Sequence, residues 1–248
     1  MVYWETTIKK GILMNAFRTL SLIAITLSMV GCASQKAWKY GPEPFISGVP
    51  PQVDKTVVVT PFNDQRNNEN SDMLAMRLIP LMPFGWQDLN TPEGVQMHLT
   101  SGLWIWRPNE DIAKAAYEEI NSSNVFKEVF YSTRASEGDL VLQGTIKSTK
   151  YDGKLFSYGL SIEGPIFWLI GLPAANVSNE LVVSFKLEDR KHNKVLWEKE
   201  YHEEESHISF IYSLNSDFEY PEMLKKMLLN VVKDIKSDLP SLKTKLIN

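Results

Sequence analysis

What the chain lacks narrows its chemistry first. It has one cysteine in 248 residues, Cys32, so an internal disulfide cannot form and a lone thiol needs another explanation. There are four histidines, and only His202 and His207, in "YHEEESH", stand near one another. Five residues apart on a strand, they point to opposite faces, whereas a zinc site needs three or four convergent ligands. The sequence contains no Gly-x-Ser-x-Gly elbow, His-Glu-x-x-His pair, phosphate loop or dinucleotide fingerprint. It has no internal repeat and no low-complexity tract, and no apolar run reaches the roughly 20 residues of a spanning helix. These absences predict a protein that is not an enzyme and that carries no metal or other cofactor.

What is present begins at the amino terminus. Lys9, Lys10 and Arg18 precede an apolar run of about a dozen residues, Thr19 to Gly31, that ends in Met29-Val30-Gly31-Cys32-Ala33-Ser34. A basic region, a short apolar region and small residues before a cut site describe a secretory signal. Met14 is an alternative start, and residues 1–31 are left out of fold reasoning. Without their three basic residues and one acidic residue, the formal net charge of −4 becomes about −6. Nucleic acid or an anionic lipid surface is then not expected as principal partner.

From Ala33 to Asp54 four prolines and two glycines break any period, which predicts a flexible tether over residues 32–54. A single α/β domain is expected over 55–240, with a tail at 241–248. "KTVVVTPF" reads as a buried strand. Residues 71–108 have no clear period and read as an elaborated connection carrying an apolar knot, Leu78 to Trp86. Asn109 can cap a helix with Ile112, Ala116 and Ile120 on one face, and "VFKEVFYST" follows as a strand, which implies a parallel crossover. "LVLQGTIKSTKY" is a strand, and Asp152-Gly153 predicts a hairpin turn into a return strand from Lys154 to about Leu160.

Leu181, Val183, Phe185 and Leu187 alternate with Val182, Ser184, Lys186 and Glu188 as a half-buried strand, and "KVLWEKEYHEEE" returns as the second strand of a hairpin, with Val195, Trp197 and Tyr201 on one face and Leu196, Glu198, Glu200 and His202 on the other. A last helix near Asp217 carries Met223, Leu224, Met227, Leu228, Ile235 and Leu239 as one stripe. The expected fold is α/β, an α+β two-layer sandwich: a mixed sheet of about five to six strands, two main helices on one face, and apolar loop insertions.

Two features resemble known proteins. "MVGC" resembles the lipobox of bacterial lipoproteins, which implies diacylglycerol on Cys32; Ala33, where the inner-membrane retention signal has aspartate, implies the outer membrane. "VVVTPFNDQR", the following helix, "NVFKEV" and "DLVLQGTI" resemble the curli-secretion channel lipoprotein, the outer-membrane activators of penicillin-binding proteins and the amino-terminal domain of TolB, over residues 55 to about 150 and the final helix. Leu78 to Trp86 and Glu163 to Pro173 depart from those families and look more like uncharacterised envelope lipoproteins. The resemblance implies a periplasmic accessory or structural role in an envelope assembly for secretion, export, transport or a motor.

Three polar or aromatic sets carry alternatives. Asp64 and Arg66 either bind a ligand at the strand's carboxyl end or make turn hydrogen bonds. Trp104 and Trp106 either stack on a glycan or pack into the core. The stretch "EGPIFWLIGLP" is the candidate contact surface. Ile166, Phe167, Trp168, Leu169, Ile170 and Leu172, joined by Phe84 and Trp86 of the other knot, would forgo on the order of 10 kcal/mol if left in water. Pro165 and Pro173 argue against one helix here. The cover is either the protein's own fold, a partner protein or a copy of itself, or the lipid leaflet. A lipid-handling carrier, or an envelope hydrolase, is the alternative function.

Overall fold

Three long antiparallel strands set the frame. In the computed structural model, which describes residues 36–44, 50–94, 97–98, 102–212 and 218–247, the first line consists of β9 (Leu140–Ser148) and β10 (Tyr151–Phe156). The second and third are β11 (Ala175–Asp189) and β12 (Lys194–Ser209). One edge of β11 carries β12 along its length; the other carries β10 at Ala175 to Asn179 and β9 at Val182 to Asp189. Ser148 lies opposite Val182 and Tyr151 opposite Asn179. Thus β9 and β10 form one line interrupted at Thr149 and Lys150, where the Glu180 N–H donates to the Lys150 carbonyl at 2.8 Å.

The expected hairpin at Asp152-Gly153 is therefore not formed. Both residues are paired on both edges, with β11 and with β5 (Phe84–Leu89), so the ladder satisfies backbone groups that a turn would have left to solvent. Gly153 also makes room: a Cβ there would come within 2.7 Å of the Tyr151 ring.

Around this frame lie β2 (Val53–Val59), parallel to both β9 and β8 (Phe126–Tyr131); β3 (Asn63–Asp64), beside β9; and β4 (Asn70–Met73), beside β5. The sheet has nine strands in the order β4-β5-β10-β11-β9-β2-β8, with β12 and β3 off that path. Five to six were expected. The strands beyond six are β3, just after the first expected strand, and β4 and β5, which fall almost wholly in residues 71–108, read as a connection. A separate small sheet contains β1 (Lys36–Ala37), β6 (Met97–His98) and β7 (Gly102–Ile105).

Helices α1 (Pro108–Ser122) and α3 (Tyr220–Ser237) pack on each other and on the sheet; α2 (Pro165–Leu169) and α4 (Leu239–Ile247) are short. The predicted stripes are buried: Ile112, Ala116 and Ile120 on α1, and Met223, Leu224, Met227, Leu228 and Ile235 on α3, meet Leu181, Val183, Phe185 and Leu187 of β11. Asn109 does not cap α1. Arg107 precedes the helix, Pro108 starts it, and Asp111 accepts the Arg107 N–H at 2.7 Å.

In β12 the pairing shifts from Leu187 opposite Trp197 to Glu188 opposite Val195. One extra residue turns Leu196 inward and leaves Val195 exposed, the reverse of the strict alternation expected. The expected tail is helical through Ile247, with Leu242 buried.

The described part of the expected tether is docked. Trp38 and Tyr40 pack against the main core, and one oxygen of the buried Glu119 accepts hydrogen bonds from the Tyr40 hydroxyl at 2.6 Å, the Glu43 N–H at 3.3 Å and the Lys225 ammonium at 3.0 Å. Lys225 also donates to the Gly41 carbonyl. Burial, reinforced by the Glu119 carboxylate, pushes the Tyr40 phenol far above its usual range. Burial opposes the Lys225 charge, but its bonds to Glu119 and Glu43 outweigh that and raise its pKa.

Candidate functional site

The upper end of the sheet, where β10 stops and β11 starts, carries two apolar loops. The connection from β10 to β11 turns through α2, and the 3₁₀ turn Leu74–Leu78 leads into β5. The two are tied together: the Leu81 N–H donates to the Gly159 carbonyl at 2.9 Å and the Ser161 hydroxyl to the Leu78 carbonyl. These bonds join the turn just before Glu163 to the knot Leu78 to Trp86. Pro165 sits in the first turn of α2, where its missing N–H costs nothing, so the segment forms a single helical turn before Gly171 reverses the chain at φ +94°.

The side chains of this loop separate into two sets. Trp168 turns inward onto Leu89, Tyr151, Leu155, Ala175 and Val177, and its indole N–H donates to the Phe156 carbonyl at 3.0 Å. Phe167 turns to the other side, edge-on to Tyr158 with ring centroids 5.2 Å apart. From Tyr158 the ring contacts continue through Phe156 and Phe84 to Trp86. Phe84 and Trp86 are half-buried members of this ladder, not a second exposed knob. The Tyr158 hydroxyl donates to the Pro173 carbonyl at 2.6 Å.

Set on these anchors, the aliphatic residues project outward: Ile166 is 57% exposed, Leu169 63%, Ile170 70% and Leu172 39%. Leu81, at 89%, and Ile162, at 76%, extend the patch beyond the expected residues. Ile211 joins them across an open groove of about 560 Å³ lined also by Glu163, Pro165 and Trp168. Each such side chain left in water forgoes up to about 2 kcal/mol. The fold therefore covers the two aromatics and leaves the aliphatics open. Leu81 lay within the predicted knot and carried a signal; Ile211 follows a strand in "ISFIYS" with no pattern to mark it.

The other candidates resolve into structure. Arg66, its side chain 4% exposed, bonds Asp64 at 2.7 Å, Glu93 and the Thr149 hydroxyl at 2.6 Å. These bonds tie the loop after β3 to the β9–β10 junction, and the Asp64 carboxyl is held below its usual pKa by the Arg66 guanidinium. Trp106 is buried, stacked on Tyr220 at 4.7 Å and edge-on to Phe218; Trp104 lies on β7. His202 lies 3.4 Å from Glu180, whereas His207 lies 3.7 Å from Glu219. Among the described residues no group of three or more metal-ligating side chains converges, and no helix is long and apolar enough to cross a membrane. Cys32 lies outside the described residues.

No family model and no curated protein matches the chain. Among solved structures, it is similar to a Xanthomonas campestris protein of the DUF330 family, at 13% identity over 87% of this chain and 100% of that one, with a TM-score of 0.47. It is also similar to the PelC dodecamer subunit of Paraburkholderia phytofirmans, at 12% identity over 74% of this chain and 92% of that one, with a TM-score of 0.34. Neither likeness assigns the chain a family or an activity.

Proposed function

We propose that the chain is a periplasmic lipoprotein of the outer membrane, held by acyl chains on Cys32, that serves as an accessory or structural subunit of an envelope complex and works by binding, through contacts with other envelope proteins. The observation that carries this reading is the aliphatic tip. A fold that half-buries Trp168 and pins Tyr158 while leaving Ile166, Leu169 and Ile170 in water holds a contact surface in a fixed shape, since large exposed apolar patches on soluble folds mark interaction sites. The Cys32 acyl chains supply attachment, which takes more than one chain to be stable.

Two measurements test the reading. Labelled palmitate is expected on the wild-type protein and absent from Cys32→Ala; labelling that survives the substitution overturns the anchor. Native-mass analysis of membrane extracts is expected to show the protein in an assembly larger than itself, and a protein that runs alone in every gentle extract overturns the subunit role.

A further inference from the structure

The tip is built as lipid-facing structure is built. Lipid leaves no partner for a free polar group, so backbone and side-chain donors at its surface must be satisfied internally. Here the Phe167, Gly171 and Leu172 N–H groups donate to the carbonyls of Gly164, Trp168 and Phe167, and those of Leu81 and Met82 to Gly159 and Ile79. The hydroxyl of Tyr212 donates to the Leu169 carbonyl at 2.8 Å, and the indole of Trp168 and the hydroxyls of Tyr158 and Ser161 are likewise engaged within the protein. What remains facing outward is mostly branched aliphatic, with the Glu163 carboxylate between Ile162 and Ile166 and the exposed ring of Tyr212 beside them. Protein-interface anchors are typically Trp, Tyr and Arg; here Trp168 is half-buried and Tyr212, though exposed, spends its hydroxyl on the Leu169 carbonyl.

The course of the chain agrees. Lys36 is four residues after Cys32, a span of at most about 14 Å. β1 runs parallel to β7, which leads into α1. The start of α1 lies at the carboxyl end of β2, where the Phe62 N–H donates to the Asn109 carbonyl at 2.9 Å. The fold is thus entered from the half of the molecule that bears β10 and the tip, and the strap of residues 38–43 is then fixed by Glu119 and Lys225.

From the internally satisfied tip and the direction of chain entry, we propose that the aliphatic tip is seated in the acyl layer of the same membrane that holds Cys32, as a second, non-covalent foot beside the lipid anchor. This rests on the reading of the tip as the contact surface and of Cys32 as lipidated. The occupant is the bilayer leaflet, not a single carried lipid: the groove beside Trp168 is open along Ile162, Ile166 and Ile211.

The test is photo-crosslinking of the full chain in cells, with a diazirine amino acid in place of Ile170 and, as reference, of Asn193 at the opposite end of the strands. Phospholipid adducts from 170 and their loss at 193 are the expected result. A protein adduct from 170, whether another protein or a second copy, overturns the lipid seat while sustaining the tip as a contact surface. No adduct of either kind from 170 overturns both. A lipid adduct formed only when the irradiated protein has first been purified away from membrane overturns the leaflet as occupant in favour of a carried lipid.

Discussion

Arg66 shows what a single residue can conceal in a sequence. Next to Asp64 it read as either a ligand pair or a turn; the turn bond is formed, the Arg66 N–H donating to Asp64 at 3.1 Å, but the side chain also reaches Glu93, 27 residues away, and Thr149, 83 away. No local pattern reports partners at that separation, so the choice could not be settled from the chain. Replacing Arg66 with Met strands Glu93 and is expected to cost about 3 kcal/mol in urea unfolding, the low end for breaking a buried pair because Asp64 keeps access to water. The Asp64 carboxyl is depressed by Arg66, so its contribution is present above its unfolded pKa of about 4 and is lost as pH falls below it. The wild type should therefore lose stability on acidification more steeply than Arg66→Met. Tyr40 has the opposite sign. Its phenol is raised by burial and Glu119, so its contribution is whole below the unfolded value of about 10 and falls as pH rises above it. Unfolding midpoints measured from pH 8 to 11 should decline, and less so in Tyr40→Phe.

At the scale of elements, legibility followed locality. Helices α1 and α3 were readable because their own periodicity buries them, and β2, β8, β11 and β12 because alternation or β-branching did the same. The Asp152-Gly153 hairpin failed because a strand continues wherever remote neighbours pair with it, and Gln87 and Val177, opposite Gly153 on its two edges, lie far away in the chain. The bulge at Leu196 is likewise a property of two strands and not of one. Gly144 shows how closely such elements fit. A Cβ there would lie 2.2 Å from the Phe62 ring, which itself meets Phe185 edge-on at 5.5 Å. Gly144→Ala must displace that ring and is expected to destabilise by about 1–3 kcal/mol; an unchanged denaturation midpoint would refute the close fit.

For the whole molecule, the mixed α/β class with helices layered on a sheet was legible, and the apolar stretch was rightly singled out as one to explain. What the sequence could not divide was its two faces. Phe167 and Trp168 went to the fold and Ile166, Leu169 and Ile170 to the outside, because the helical turn of α2 points neighbours in different directions. This separation gives a prediction that isolates contact from stability. The triple change Ile166→Ser, Leu169→Ser, Ile170→Ser removes exposed side chains only, so each should alter unfolding free energy by no more than about 0.5 kcal/mol. Detergent-free solubility of the Cys32→Ala form should rise with the triple change, and a fall in its melting temperature by many degrees would show that the tip belongs to the core.

The joined strand from Leu140 to Phe156 has a mechanical meaning as well. The same three strands pass through both halves of the sheet, so no hinge loop separates the tip from the helix layer. β12 alone, with 16 residues, extends roughly 50 Å at about 3.3 Å per residue. The protein is in this sense a ruler: whatever fastens its tip also sets how far away, and at what tilt, the turn at His192 and Asn193 is presented.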